Sequence, residues 1–297
     1  MKTARKPRYR LVGGMRMPMG FPPEGLESVS EFVAEDGDVF VVSYPKSGTT
    51  WLQYIVHLLI RGQALGPDES LSAAFPHLEE VGAAAFDSLP RPRLIKTHLA
   101  RAMTPYSEAC RYLVIVRNPF DCAVSFFHHT RGFPRHYDFA DGSFAEFFES
   151  FIAGEVDFGD YFEHLVSWLA EADRDNVLLL TYEGLTIDPA SGIRRIAQFL
   201  GTRALASVST DAALARVVDE TSLTSMRRDQ QRWSSARPAW APAFVRRGGV
   251  GDWRSLFTPR QARALLAKFE RRLAGTGIGD LWADVLAHAR AFAELEP

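Results

Sequence analysis

The chain alternates short, unbroken apolar runs with longer stretches of mixed polarity. Val39-Phe40-Val41-Val42 is the first such run, and Trp51 to Ile60 is apolar over a helical span. A strand covered on both faces reads as a continuous apolar block, so this pair predicts a buried parallel strand leading into a helix. The pairing recurs. Tyr112-Leu113-Val114-Ile115-Val116 precedes a predicted helix from about Pro119 to Thr130, and Pro119 suits a first turn that needs no N–H. Arg93 to His98 reads as a shorter strand, Asn176 to Tyr182 as a fourth, and Pro189 to Leu200 as a helix stopped by Gly201. Residues 143–172 read as two helices broken near Gly154 to Gly159. This alternation predicts an α/β fold: a single domain with a central parallel sheet flanked by helices. No repeat or low-complexity block interrupts it. The expected organisation is a flexible tail over residues 1–10 and one domain over 11–297.

Three stretches lack that patterning. Residues 11–38 carry Gly13-Gly14 and Pro22-Pro23 and read as loop with a short helix near Leu26 to Phe32. Residues 62–92 are rich in Gly, Ala, Pro and Ser, as a substrate-binding excursion above a sheet would be. Residues 227–257 set tryptophans among arginines, prolines and glycines and predict irregular structure.

Composition narrows the class. At 297 residues, 46% hydrophobic and 24% charged, the chain can bury a sizeable core. A formal charge of −2 provides no global field toward nucleic acid or a membrane surface. Neither a secretory signal nor an apolar run of membrane-spanning length is visible, so a cytoplasmic protein with no membrane or nucleic-acid partner is expected. Cys110 and Cys122 form no metal or disulfide pattern and read as buried thiols.

The candidate chemistry lies at the strand ends. Between the first strand and its helix stands Tyr44-Pro45-Lys46-Ser47-Gly48-Thr49-Thr50-Trp51. A strand turning into a helix N-terminus aims free N–H groups and the positive end of a dipole at one point. Gly48 permits close backbone approach, Lys46 adds a charge, and Thr49 and Thr50 add hydroxyls. The lysine precedes the glycine, so this is not the Walker spacing. Arg117 ends the third strand, and Arg246-Arg247-Gly248 lies in the glycine-rich late segment. Three separated cationic sites suit a ligand with two phosphate groups, since a doubly wound sheet gathers strand ends on one rim. Lys96 and His98 end the second strand, where a neutral imidazole is a candidate general base. Asp121 reads as an N-terminal helix charge rather than a metal ligand.

The motif Tyr-Pro-Lys-Ser-Gly-Thr-Thr-Trp resembles the P-loop-like phosphosulfate-binding loop of cytosolic sulfotransferases, which use 3′-phosphoadenylyl sulfate (PAPS) and release 3′,5′-adenosine bisphosphate (PAP). Val116-Arg117-Asn118-Pro119 through Ser125 is similar to that family's 3′-phosphate segment, and Arg246-Arg247-Gly248 to its late phosphate clamp. Thr181-Tyr182-Glu183 and Trp51 resemble the adenine contacts. Thr221-Ser222-Leu223 resembles a further adenosine contact, with Leu223 where the family usually has phenylalanine. Lys96-Thr97-His98-Leu99 matches the catalytic strand. The resemblance implies sulfuryl transfer to a hydroxyl or amine of a small-molecule acceptor, with His98 as base, Lys46 and Lys96 stabilising developing charge, and no metal. Phe21, Phe75, Phe86, His129, Phe133, Trp240 and Phe244 are candidate acceptor-pocket residues. His129 either marks a polar acceptor or faces solvent. Pro259-Arg260-Gln261-Ala262 departs from the family's dimer motif, so a monomer or a non-standard dimer is expected. A P-loop kinase or other NTP-using enzyme, and a non-catalytic nucleotide-binding protein of the same fold, remain the alternatives.

Overall fold

The computed structural model describes residues 5–234, 237–276 and 278–295. Its frame is a four-stranded parallel sheet made of β3 (Val39–Val42), β4 (Leu94–Thr97), β5 (Arg111–Val116) and β6 (Val177–Thr181), in the spatial order β4-β3-β5-β6. The register sets Val42 opposite both Thr97 and Val114, and Val116 opposite Thr181. The C-terminal ends of all four strands therefore lie along one rim. The chain leaves β3 for β4 on one side and returns to β5 on the other, which opens a crevice at that rim.

Side chains alternate across the sheet and feed two cores. Val39, Val41, Leu113 and Ile115 pack beneath helix α1 (Thr49–Arg61). Phe40, Val42, Tyr112 and Val114 pack on the other face with α2 (Pro119–Gly132), α3 (Phe144–Ile152) and α4 (Tyr161–Leu169). Each such side chain, fully buried, contributes about 1.5–3 kcal/mol. At the opposite edge of the sheet, Arg93 donates from Nε to Asp38 at 2.9 Å, both side chains being buried. That pair fixes the entry to β3 and β4. α5 (Tyr182–Ile187) and α6 (Pro189–Leu200) follow β6, and α7 (Pro259–Leu273) with α8 (Ala283–Ala293) completes the chain. Both cysteines are free and buried. Among the described residues no helix is long and apolar enough to cross a membrane.

Two expectations need correction. Residues 9–18 are not tail and loop but an antiparallel hairpin, β1 (Tyr9–Val12) with β2 (Met15–Pro18). Gly13 and Gly14 have φ of 55° and 84° and form its turn, as two adjacent residues with positive φ do in tight hairpins. Met17 plugs the core beneath it. Phe86, expected in the acceptor pocket, packs edge-on against Phe32 in the core, with centroids 5.3 Å apart.

Candidate active site

The β3–α1 corner is shaped by two left-handed residues, Lys46 at φ 70° and Gly48 at φ 103°. A Cβ on Gly48 would stand 2.6 Å from the Tyr182 ring, so only glycine fits here. No side chain caps the start of α1, and Gly48, Thr49 and Thr50 line a cavity of about 620 Å³ at the sheet rim. Uncapped amides at a helix start favour an anion. Ser47 departs from expectation. It does not line the cavity, and its buried side chain is turned toward Cys122 in α2.

Arg117 enters the same cavity from the end of β5. Its guanidinium lies 4.4 Å from the Tyr182 ring centroid and donates to Gly249 O at 3.1 Å, while Nε has no partner. Tyr182 donates to Gly248 O at 2.8 Å and meets Trp51 edge-on at 5.6 Å. Ser125, Thr221 and Leu223 also line the cavity, as do Arg246, Arg247 and Gly248. Arg246 and Arg247 both pair with Asp252.

Asp121 has a role that the sequence did not signal. Its carboxylate accepts from Gly251 N at 2.8 Å and from Trp253 N at 3.0 Å. It thereby fastens the late glycine-rich segment to the start of α2. Glu183 braces the same turn by accepting from the Asn118 backbone at 3.0 Å and from Trp282 Nε1 at 2.9 Å.

His98 ends β4. Its Nδ1 donates to Ser43 O at 2.7 Å, and its backbone N–H donates to the buried Glu79 at 2.6 Å. A carbonyl can only accept, so the proton sits on Nδ1 and the Nε2 lone pair is free. Burial, with Lys96 and His77 nearby, pushes its pKa well below the usual value and keeps the ring neutral. Lys46 lies over the Phe244 ring at 4.3 Å and donates to His129 Nδ1 at 3.4 Å. Burial, then Arg237, Lys96 and Arg117, lowers its pKa to about 7. Burial also lowers Lys96, against the opposing pull of Glu80 and Glu79. Lys46, Lys96, Arg117, Arg246 and His98 thus share one cavity.

Residues 36–277 match the sulfotransferase domain family. The chain belongs to the sulfotransferase family. Mouse sulfotransferase 6B1 is 35% identical over 263 residues, covering 86% of this chain and 83% of that protein. Human sulfotransferase 1C2 is 31% identical over 269 residues, covering 84% and 88%. Mouse sulfotransferase SULT7A1, solved in complex with PAP, superposes with a TM-score of 0.77 at 29% identity and covers 95% of this chain and 99% of that one. Retinol dehydratase, solved with retinol and PAP, shares the fold with a TM-score of 0.73 at 22% identity, covering 84% and 85%.

In this sulfotransferase the far end of the cavity is lined by Phe21, Phe75, Phe133 and Phe244 from four separate segments. His129 faces the cavity, not solvent; it is partly buried and lies 4.7 Å from the Phe133 ring. Trp240 does not belong to the cavity, being 54% exposed on the surface. His77, Glu80, His136, Tyr137 and Asp157 also line this end, and none was expected from the sequence. They sit in loops and one-turn helices without periodicity. The one available signal was Asp157, an acid set between Val156 and Phe158 in a glycine-flanked loop.

Proposed function

We propose that this sulfotransferase moves a sulfuryl group from PAPS to a hydroxyl or amine of a small-molecule acceptor, with His98 as the general base. The observation that carries the reading is the single cavity shared by Lys46, Arg117, Arg246 and the free Nε2 side of His98. The residues fit the donor. The uncapped start of α1 and the unpartnered Arg117 Nε suit its phosphates, and the unpartnered Trp51 Nε1 beside Tyr182 suits its base. PAPS supplies the activated sulfuryl group and a stable bisphosphate leaving group.

The remaining work falls to side chains. Arg117, Ser125 and the Arg246–Gly248 segment hold the 3′-phosphate, while Thr221 and Leu223 close on the adenosine. Asp252, which pairs with both late arginines, gives them up to that anion. Lys46 stabilises negative charge on the departing phosphate oxygen, and Lys96 stands behind it. His98 Nε2 takes the acceptor's proton as its oxygen attacks sulfur. Positioning and charge stabilisation suffice for such a transfer, so no metal is invoked. Nothing in the reading requires a membrane or a nucleic acid, and the protein is read as cytoplasmic.

The test is a labelled-PAPS screen over phenols, alcohols and amines, run beside a thermal-shift titration with PAP in EDTA. The reading predicts a labelled product and stabilisation of about 2.7 kcal/mol at a hundredfold excess over Kd. Stabilisation by ATP only with magnesium would favour a kinase instead. PAP binding without turnover of any acceptor would favour a non-catalytic nucleotide-binding protein.

A further inference from the structure

One acid at the far end of the cavity has no part in the reading above. Asp157 lies in the loop between α3 and α4, is 2% exposed, and lines the cavity. The Tyr137 hydroxyl donates to its Oδ2 at 2.8 Å. Its Oδ1 is buried and has no hydrogen-bond partner. The loop that carries it is fixed. Phe158 adopts φ 62°, donates to Arg16 O at 3.0 Å, and packs against the His98 ring at 5.1 Å. The carboxyl is therefore one residue from the wall that holds the imidazole.

A buried carboxylate oxygen with no donor is unfavourable until a donor arrives. Burial pushes the Asp157 pKa up to about 7, while the Tyr137 hydroxyl, Lys46 and His77 oppose that rise. A bound group with an N–H or O–H would relieve the same penalty. The neighbouring wall agrees with a mixed ligand: Phe21 and Phe133 offer apolar faces, and His77, Glu80 and His136 offer polar ones.

We propose that Asp157 is a specificity-determining residue whose Oδ1 accepts a hydrogen bond from a second donor group, hydroxyl or ammonium, on the acceptor molecule. This rests on the sulfuryl-transfer reading of the cavity. The acceptors it favours have an aromatic or apolar body, a reacting hydroxyl at one end, and a donor at the other.

The experiment compares three series of para-substituted phenols in PAPS-dependent turnover: alkyl, ω-hydroxyalkyl and ω-aminoalkyl, each with side chains of one to three carbons. Wild-type enzyme should favour at least one donor-bearing phenol over its alkyl partner by about tenfold or more in kcat/KM. The better of the two donor series identifies the group as hydroxyl or ammonium. Asp157→Asn lets the amide oxygen keep the Tyr137 bond and turns an NH2 into the site, and Asp157→Ala removes both groups. Either change should bring the selectivity ratio close to one while PAP still binds. Equal kcat/KM across the wild-type series would overturn the proposal, and so would a preference that survives both substitutions. The wild-type comparison decides even if a variant fails to fold. Absence of PAP binding and of all turnover would instead sink the sulfuryl-transfer reading itself.

Discussion

The two ends of the cavity are built in different ways. The end read as the donor site is made of corners: β3 into α1, β5 into α2, and β6 into α5. Each corner presents backbone and one or two fixed side chains at a position that the sheet dictates. The end read as the acceptor site is made of side chains from the hairpin, three one-turn helices, and the loop around residues 157–158. Donor recognition therefore depends on topology, whereas acceptor recognition depends on which side chains happen to occupy loosely patterned segments. Substitutions at the two ends should separate accordingly, the first acting on PAP affinity and rate with every acceptor, the second on the choice of acceptor.

Among substitutions of the groups that hold the donor, the largest expected effect comes from Lys46→Met. It should lower kcat by about 10²–10³ with every acceptor, since one preorganised donor at the site of developing charge is worth that much. Stopped-flow or initial-rate assays would measure it, and an acceptor-dependent loss would blur the two ends. Arg117→Ala should weaken PAP binding by about 10–100-fold in titration calorimetry, the worth of a charge-assisted contact. It should leave the ratios of kcat/KM among acceptors unchanged.

The pH dependence is the next effect in size. The Lys46 pKa is lowered to about 7, so its cation is present below that value and lost as pH rises through it. His98 is shifted well below its usual value, so its base form persists through neutrality. The kcat/KM for PAPS should therefore fall tenfold per unit on the alkaline side of about pH 7, and PAP binding at pH 8 should take up close to one proton. Lys46→Arg should remove that alkaline limb. The smallest effect is expected at the far end, where Phe133→Leu should change acceptor KM a few-fold and PAP affinity not at all.

The same contrast explains how much was legible beforehand. The sheet and the corners around Lys46, Arg117 and Tyr182 could be read because apolar runs and glycine positions report backbone geometry directly. The hairpin of residues 9–18 was missed because Gly13-Gly14 signals a turn without saying whether strands flank it. Phe86 was misassigned because an aromatic in an unpatterned segment fits a core as well as a pocket; only the packing against Phe32 decides. Ser47 sits inside the clearest motif yet turns away from the cavity, since the left-handed Lys46 rotates the chain at that point. Asp121 tying down Gly251 and Trp253 joins segments 130 residues apart, which local pattern cannot reveal.

The most direct test is single-turnover transfer from labelled PAPS by His98→Ala, with PAP affinity measured on the same preparation. The account predicts a rate lower by about 10²–10⁴ with PAP affinity within about twofold of wild type, because the imidazole acts on the acceptor's proton and not on the nucleotide. A His98→Ala enzyme that turns over at the wild-type rate would contradict it.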